Sequence, residues 1–272
     1  MNKPDDHLQQ NPISYACYTR TVREGEQFIP HHVFSYQISG ALTMTDGIEK
    51  YHFQEESFRL TRRNSLLKFT KQPGTDGTYK NLSVFLDQQL LRDLSAEYKF
   101  EAKKRQPGVP VITLAPHKLL KSYVDALQPY DELLRHGNLM LRQIKVKELV
   151  ILLLQIRPDL KDILFDFSEP GKLDLEAFMM ENYRFNISLE RFAYLSGRSL
   201  STFKRDFEKI FSSPPGKWLQ EKRLQEAHYL IKERGLAPKD VYVDVGFEDL
   251  SHFSYAFKKM YGISPAKFRA EI

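Results

Sequence analysis

FKRDFEKIF at residues 203–211 and FSYAFKKMY at residues 253–261 place the same residue types at the same spacing, fifty residues apart. With the residues that follow, seven positions match: Phe203 with Phe253, Phe207 with Phe257, Lys209 with Lys259, Phe211 with Tyr261, Pro215 with Pro265, Lys217 with Lys267, and Trp218 with Phe268. Aromatic residues at positions i, i+4 and i+8 share one stripe of a helix. Each segment therefore predicts a short helix that docks through an apolar face and is followed by a proline turn.

An apolar segment that ends in glycine precedes each of these helices, at 189–197 in the first copy and at 241–246 in the second. A helix, a turn that contains glycine and a second helix make up the helix-turn-helix plan, whose second helix enters the major groove of DNA. One such pattern is common in all-α proteins, but generic packing rarely produces a duplication that preserves seven positions. The repeat predicts two tandem helix-turn-helix units and double-stranded DNA as their partner.

The faces opposite the aromatic stripes are the predicted reading surfaces, with Ser199 and Asp249 near the helix starts. The residues predicted to contact bases are Ser201, Lys204 and Arg205 in the first unit, and Leu250, Ser251, Ser254 and Tyr255 in the second. Arginine and lysine pair with guanine O6 and N7, and apolar groups contact the thymine methyl. Because only the first helix carries cations on this face, it is the better equipped of the two.

The segment between the two units predicts a rigid spacer. A helix over residues 216–233 would be about 27 Å long at 1.5 Å per residue, and successive major grooves recur at roughly 34 Å. One chain is then expected to read two successive grooves. Lysines near the helix ends are predicted to contact phosphates, which sets register without specifying sequence: Lys209, Lys217, Lys258, Lys259 and Lys267.

Composition indicates a globular chain and supports a polyanionic partner only weakly. The 272 residues are 42% hydrophobic and 28% charged, with a formal net charge of +5. Cys17 is the single cysteine, so no disulfide within the chain is possible and a reducing compartment is indicated. Residues 1–12 lack the apolar core of a signal peptide, and the most apolar run, 149–156, is far shorter than the about 20 residues that span a bilayer. We expect a cytoplasmic protein with no membrane partner.

The first part of the chain predicts a β-rich region followed by helices. Strands are predicted at 15–22, 33–39, 41–44, 48–53, 58–60, 65–69 and 82–86, and such short strands favour a sandwich or small barrel. Helices are predicted at 88–98, 116–127 and 139–156, and the last is apolar on more than one side, as in a helix that also packs against a second subunit. Segment 159–171 is the predicted linker. The predicted domains are 1–166, β-rich over 13–87 and helical over 88–166, and 167–272.

Several short motifs in residues 173–270 carry a family resemblance. They are Leu195-Ser196-Gly197-Arg198-Ser199, Lys222-Arg223-Leu224 with Ala227, Val245-Gly246-Phe247, Ser251-His252-Phe253-Ser254, Phe257-Lys258-Lys259, and Tyr261-Gly262-Ile263-Ser264-Pro265 with Phe268-Arg269. With these motifs the segment resembles the DNA-binding domain of AraC-family transcription regulators. The resemblance implies that the residues predicted to contact bases occupy the family's base-contacting positions. The chain departs from the family at Tyr255, where arginine is frequent, and at 212–215, which lacks the usual glycine.

In this family the β-rich half commonly resembles a cupin-like barrel that binds an effector or a protein partner, followed by helices for dimerisation. The resemblance thus implies an α+β chain: an N-terminal cupin-like β-barrel with a helical dimerisation segment, then an all-α domain of two tandem helix-turn-helix units joined by a long helix. It implies a sequence-specific regulator, more an activator than a repressor, with RNA polymerase as a partner, a homodimer as the assembly and no cofactor. The N-terminal half also resembles a subset that activates type III secretion genes and answers to a regulatory protein.

The β-rich region leaves alternatives open. His31 and His32 suggest a metal, but neighbours on a strand point to opposite faces, so we expect no metal site. Six aromatic residues either line a ligand cavity or fill an ordinary core: Phe34, Tyr36, Tyr51, Phe53, Phe58 and Phe69. Five cations either bind an anion or lie on solvated strands: Arg59, Arg62, Arg63, Lys68 and Lys71.

The sequence does not identify an effector pocket, and control by protein contact without a small ligand remains an alternative. No nucleophile elbow, phosphate-binding loop or metal-binding motif is present, so we expect no catalytic residues. The alternative from another class is a cupin-type metal enzyme whose helical half serves assembly.

Overall fold

A computed structural model of the chain describes residues 12–24, 28–104, 108–130 and 139–271. The first part of the chain is rich in β-strands, and the part from Leu175 onward is helical. The segment 166–174 between them contains neither helix nor strand. The chain thus combines a β-rich amino-terminal half with a helical carboxy-terminal half.

Eleven strands are present in the described residues. They are β1 (Ile13–Tyr18), β2 (Val22–Glu24), β3 (Phe28–Ile29), β4 (His32–Ser39), β5 (Ala41–Thr45), β6 (Lys50–Phe53), β7 (Phe58–Thr61), β8 (Ser65–Leu66), β9 (Lys68–Gln72), β10 (Tyr79–Leu86) and β11 (Val111–Leu114). Their order is β1-β10-β4-β7-β11 in a five-stranded sheet, β2-β9-β5-β6 in a four-stranded sheet, and β3-β8 in a short ribbon. The pairings given for these sheets are antiparallel.

Two predictions for this region need correction. The run from Tyr15 to Val22, predicted as one strand, is divided, because β1 ends at Tyr18 and pairs with β10 whereas β2 begins at Val22 and pairs with β9. The two pieces therefore lie in different sheets. Strand β11 was not predicted, although it completes the five-stranded sheet beside β7.

In the described residues of the amino-terminal half, four α-helices cover one face of the five-stranded sheet; the first precedes β11 and the other three follow it. They are α1 (Gln88–Tyr98), α2 (Lys118–Leu127), α3 (Leu139–Ile156) and α4 (Lys161–Leu164). Tyr123 of α2 and Leu149 of α3 are buried in one core with Phe34 and Leu60 of the sheet. The alternation of strand side chains explains this core, because every second residue faces the helices.

The predicted linker begins too early. Residues Leu160, Ile163 and Leu164 are buried in the core of the amino-terminal half, and Phe165 packs with them. Segment 159–165 therefore belongs to that half, and burial of these apolar side chains anchors it there.

Across the described residues, no helix combines the length and the apolarity that crossing a membrane requires.

The described residues of the carboxy-terminal half form seven helices. They are α5 (Leu175–Asn182), α6 (Leu189–Leu195), α7 (Leu200–Phe211), α8 (Pro215–Arg234), α9 (Pro238–Asp244), α10 (Leu250–Tyr261) and α11 (Pro265–Ala270). The helix predicted over 216–233 is present as α8, which extends one residue further at each end. It begins at a proline, which is well tolerated at the first helical position, and ends at Gly235 in the left-handed conformation, with φ 63°.

The two halves touch through polar and apolar contacts. Arg63 Nη2 donates hydrogen bonds to the backbone oxygens of Asp166 at 2.9 Å and Ser168 at 2.7 Å. Lys68 Nζ donates to the backbone oxygen of Val243, at the end of α9, at 3.1 Å. Burial in this interface lowers the pKa of Lys68 to about 8. Lys68 thus joins the two halves and Arg63 anchors the segment between them, so neither is a solvated strand cation.

Candidate DNA-binding surface

Helices α6 and α7 form the first helix pair, which is built around an aromatic cluster. Phe192 of α6 and Phe203 and Phe207 of α7 are completely buried. The ring of Phe207 lies 4.4 Å from that of Phe211 and 5.4 Å from that of Trp218, centroid to centroid. The aromatic stripe predicted from the spacing therefore forms the core of this unit, and it docks α7 onto α6 and the start of α8.

Helices α9 and α10 form the second helix pair, and its packing repeats that of the first. Phe253 and Phe257 of α10 are completely buried. The ring of Phe257 lies 4.8 Å from Tyr261 and 5.7 Å from Phe268, centroid to centroid. The matched residues of the sequence repeat thus occupy matched packing positions. The cores of the two pairs are separate clusters.

Local signals in the sequence set the starts of α7 and α10. The side chain of Ser199 accepts a hydrogen bond from Thr202 N at the start of α7, and that of Asp249 accepts one from His252 N at the start of α10. These caps satisfy backbone N–H groups that have no partner inside a helix. The N-cap predicted at Ser199 is confirmed, and Asp249, predicted only to lie near the helix start, is the N-cap of α10.

The residues predicted to contact bases lie on the outer faces of α7 and α10. Exposed side chains are found at Ser201, Lys204, Arg205, Leu250, Ser251 and Tyr255, and Ser254 is half-buried. Tyr255 is 69% exposed, a large fraction for an aromatic side chain. These surfaces are accessible to a partner, as a reading role requires, while the role itself stays a prediction.

The lysines predicted to contact phosphates lie near helix ends. Lys209 is in the last turn of α7, Lys258 and Lys259 are in the last turn of α10, and Lys267 is in α11. Lys217 lies in the first turn of α8. The side chains are exposed. Cations at helix C-termini also interact favourably with the helix dipole.

Two of these cations form exposed ion pairs. Arg205 Nη2 lies 3.5 Å from Asp206 Oδ1, and the side chain of Arg205 remains 65% exposed. Lys217 Nζ lies 3.9 Å from Glu221 Oε1. Because exposed pairs of this kind contribute about 0–1 kcal/mol, phosphates and bases can replace these carboxylates as partners of Arg205 and Lys217.

Arg223 of α8 joins the two helix pairs, a role that the sequence motif around it did not reveal. Its Nε donates to the backbone oxygen of Tyr183 at 2.8 Å and its Nη2 to that of Phe185 at 2.6 Å. Burial lowers the pKa of Arg223 to about 10. The guanidinium also lies beside Gly246 of the second pair, so Arg223 sits where the two pairs and the connecting helix meet.

The end of α7 departs from the end of α10 in one respect. Ser212 adopts the left-handed conformation, with φ 50°, where Gly262 in the second copy has φ 77°. A side chain is strained there by about 1–2 kcal/mol, and glycine is not. The first copy therefore keeps the left-handed backbone conformation although it has serine in place of glycine. Serine is less suited to that conformation than glycine.

Ser212→Gly is expected to stabilise the chain by about 0.5–1 kcal/mol, because relief of strain exceeds the added entropy of the unfolded glycine. Urea denaturation of the full chain measures the effect as a higher midpoint. Ser213→Gly is the matched control, since Ser213 is half-buried and has no positive φ. An equal gain from both substitutions would contradict the explanation.

Of the two histidines considered for a metal, His31 is half-buried and His32 is buried. His32 is 2% exposed, and its Nδ1 accepts a hydrogen bond from Arg63 N at 3.3 Å. Burial, with Arg63 and Arg62 nearby, lowers the pKa of His32 to about 3, so the ring is neutral at physiological pH. The described residues contain no group of three or more His, Cys, Asp or Glu side chains arranged to hold a metal ion.

Comparison with known proteins identifies both halves. Residues 193–271 match a family model described as "Helix-turn-helix domain", and residues 32–163 match one described as "ExsA N-terminal regulatory domain". The HTH-type transcriptional regulator ExsA of Pseudomonas aeruginosa is 26% identical over 235 residues, which is 85% of this chain and 84% of ExsA. The virulence regulon transcriptional activator VirF of Yersinia enterocolitica is 28% identical over 144 residues, 48% of this chain and 49% of VirF.

A solved structure of ToxT from Vibrio cholerae is also similar, with a TM-score of 0.42 and 13% sequence identity over 96% of this chain and 98% of ToxT. The sequence matches span both halves, and the regulatory match covers the strands and helices described above. The chain thus contains an AraC-type helix-turn-helix domain and an ExsA-type amino-terminal regulatory domain.

Proposed function

We propose that the chain is a sequence-specific DNA-binding transcription regulator, and an activator, whose two helix pairs act as tandem helix-turn-helix units. The observation that carries this proposal is the repeated packing of α7 and α10, which buries one aromatic stripe and leaves one polar face exposed in each copy. Members of the family are transcription regulators, so the alternative of a metal enzyme is wrong. The name of VirF, a virulence regulon transcriptional activator, supports virulence genes as the class of target.

The proposed mechanism places α7 and α10 in successive major grooves of one duplex. Helix α8 has 20 residues, and at 1.5 Å per residue it is about 30 Å long, close to the roughly 34 Å between successive grooves. Base contacts are assigned to the predicted reading residues and phosphate contacts to the lysines at the helix ends. Arg205 and Lys204 are the strongest candidates for guanine.

A binding-site selection with the full chain and a random duplex library tests the proposal. We expect a motif with two parts, whose centres are separated by about 10 base pairs, one helical turn. No shared motif would contradict sequence-specific binding. A motif with a single part would contradict reading by both helix pairs and leave only one of them as a base reader.

We propose that residues 1–166 form the regulatory domain and residues 167–272 the DNA-binding domain, with the two larger sheets as the walls of a cupin-like barrel. The regulatory domain contacts the second helix pair through Lys68, so a ligand or a protein bound to it can act on the DNA-binding half. Activation implies a contact with RNA polymerase, which we assign to the DNA-bound form of the chain.

Helix α3 supports a homodimer. Its inner face is buried through Val146, Leu149 and Val150, while Met140 and Ile144 on its outer face are 71% and 52% exposed. Residues four apart lie on one face of a helix. An apolar face that no described part of the chain covers is suited to pack against the same face of a second copy.

Met140→Glu combined with Ile144→Glu is expected to weaken the dimer at least tenfold, because charges would be buried in the interface. Sedimentation equilibrium of the full chain measures the dissociation constant. Met260→Glu is the control, since Met260 is 40% exposed on α10 in the other half. An unchanged dimer in the double variant, or a monomeric parent chain at micromolar concentration, would contradict this interface.

A further inference from the structure

The turn between the two helices is closed by the same backbone hydrogen bond in both helix pairs. Gly197 in the first turn and Gly246 in the second have positive φ angles, 69° and 95°. The next residue, Arg198 or Phe247, donates its backbone N–H to the carbonyl oxygen five residues earlier, at 2.9 Å in each pair. Arg198 and Phe247 therefore occupy corresponding positions, although their side chains differ in chemistry.

The first helix pair contains a cation that joins its two helices across the turn. The side chain of Arg198 is only 7% exposed. Its Nη1 donates to the backbone oxygen of Ser196, at the end of α6, at 2.8 Å and to that of Leu173 at 3.0 Å. Its Nε donates to Oδ2 of Asp206 on α7 at 3.3 Å. The angle between α6 and α7 is therefore held by a bridge that lies within the pair.

In the second helix pair the corresponding residues cannot form this bridge. Phe247 takes the place of Arg198 in the turn, and Ala256, fifty positions after Asp206, takes the place of the carboxylate. Both side chains are buried in the core of the pair, and neither carries a hydrogen-bond donor or acceptor. The angle between α9 and α10 thus depends on packing and on contacts from outside the pair.

A cation from the amino-terminal half reaches this turn. Lys68 Nζ, from β9, donates to the backbone oxygen of Val243 at 3.1 Å and to that of Asp244 at 2.5 Å. These carbonyls end α9, where the helix supplies no donors for them and where its dipole attracts a positive charge. The Lys68 ammonium also lies 5.8 Å from the centre of the Phe185 ring. Lys68 thus holds the end of α9 from outside the pair.

Lys68 is an unfavourable group to bury at this position. Burial disfavours the ammonium, Asp244 favours it, and Arg184 and Arg223 disfavour it, so that the pKa of Lys68 falls to about 8. The lowered pKa means that the charged form is less favourable here than in water. A cation retained under these conditions adds little to the stability of the fold, and its contribution is to the orientation of α9.

Other contacts between the halves do not replace Lys68. Arg23 Nη1 lies 3.6 Å from Asp240 Oδ1 at the start of α9, but both side chains are nearly half exposed, and exposed pairs contribute little. Leu195 of α6 packs in one cluster with Leu66 of β8, but this contact belongs to the first pair, which has its own bridge. The two pairs therefore differ in what holds the angle between their helices.

We propose that Lys68 is a positioning residue through which the amino-terminal half controls the second helix pair alone. With Lys68 in place, α9 is held from outside and α10 keeps the angle at which it enters its groove. An event in the regulatory half that moves β9 withdraws this support, whereas the first pair retains Arg198 and stays able to bind. The chain then changes from two-part to one-part reading of DNA. This inference rests on the proposed function.

Fluorescence anisotropy of the full chain with three labelled duplexes tests the proposal. One duplex is the selected two-part site, and in each of the others one part is scrambled. The part read by the first pair is identified as the one at which Arg205→Ala relaxes the base preference. In the parent chain, scrambling either part is expected to weaken binding about tenfold or more, as the loss of several base contacts does.

In Lys68→Met, scrambling the part read by the second pair is expected to change the affinity by less than about twofold, because α10 no longer reads it. Scrambling the other part keeps its full effect. The melting temperature should stay close to that of the parent chain, since a buried cation is replaced by an apolar side chain of similar size. A purely structural role for Lys68 would instead lower the melting temperature and weaken binding to both parts.

Three further variants complete the design. Lys68→Arg retains a cationic donor and should preserve reading of both parts. Lys71→Met is the matched control, with the same substitution on the same strand, because the Lys71 ammonium lies 4.6 Å from the centre of the Tyr18 ring in its own half. Arg198→Met with Asp206→Ala gives the first pair the apolar character of the second, so dependence on the first part should fall instead.

A Lys68→Met chain that still reads both parts, or that loses both equally, would overturn the proposal, as would an equal loss in Lys71→Met. If Lys68→Met fails to fold, Lys68 is structural and the proposal is wrong. Unchanged dependence on the first part in the double variant would also contradict it. A parent chain that selects no two-part motif contradicts the proposed function and this inference together, whereas a two-part motif that Lys68→Met leaves intact contradicts only the inference.

Discussion

Gly246→Ala is expected to destabilise the chain by about 3 kcal/mol or more and to abolish binding to a two-part DNA site. Gly246 follows α9 with φ 95°, a conformation that favours glycine. A Cβ at this position would lie 2.6 Å from the backbone oxygen of Arg184 and 2.9 Å from Nε of Arg223. The backbone of Arg184 belongs to the first half of the DNA-binding region, so relief of the clash would move the two helix pairs apart.

Substitutions at two other glycines separate the effect of backbone strain from that of the steric clash. Gly262 has φ 77° but no neighbouring atom within 4 Å of a Cβ, so Gly262→Ala should cost about 1–2 kcal/mol from backbone strain alone. Gly216 lies in α8 with neither feature, and Gly216→Ala should cost nothing. Denaturant unfolding and fluorescence anisotropy with labelled DNA measure the series. A loss in Gly246→Ala no larger than in Gly262→Ala would show that the close approach is unimportant.

Local and periodic features of the fold were readable in the sequence. The aromatic repeat predicted the cores of both helix pairs, because a stripe at helical spacing must be buried somewhere. The cap at Ser199 and the position of Asp249 near a helix start were readable because they depend on residues within one turn of the chain. The bounds of α8 were close to prediction, since a proline and a glycine mark its two ends.

Features that depend on strand pairing were not readable. A polar row of Ser14, Ser83, Ser35 and Arg59 forms only when β1, β10, β4 and β7 align in one register, and no local pattern specifies that register. The open question about the cations is therefore answered residue by residue: Arg59 faces a cavity between the two larger sheets, while Lys68 donates to the end of α9.

The aromatic residues of the β-rich half also divide by strand face. Phe34, Tyr36 and Phe58 are buried in the core beneath the helices, whereas Phe69 lines the cavity that Arg59 faces. Alternation along a strand predicts that such residues face opposite sides, but it does not tell which side is packed and which is hollow. The long-range packing of two sheets decides that.

Arg205→Ala is expected to weaken binding to the selected DNA site by about 1–3 kcal/mol, roughly 5- to 150-fold, and to relax the preference at one base position. Its exposed side chain projects from α7 and forms an exposed ion pair with Asp206. Lys217→Ala is expected to weaken binding to all sequences alike and to reduce the slope of log affinity against log salt by about one. The two substitutions thus separate base reading from phosphate contact.

Arg234→Ala is the control for Arg205→Ala, because Arg234 is an exposed arginine in the last turn of α8, far along the chain from both outer faces. Repeating the selection with each variant shows the motif, and anisotropy titrations at several salt concentrations show the slope. If Arg205→Ala left the motif unchanged and lowered affinity for every sequence equally, Arg205 would be a phosphate contact. Base reading by the first helix pair would then depend on Ser201 and Lys204.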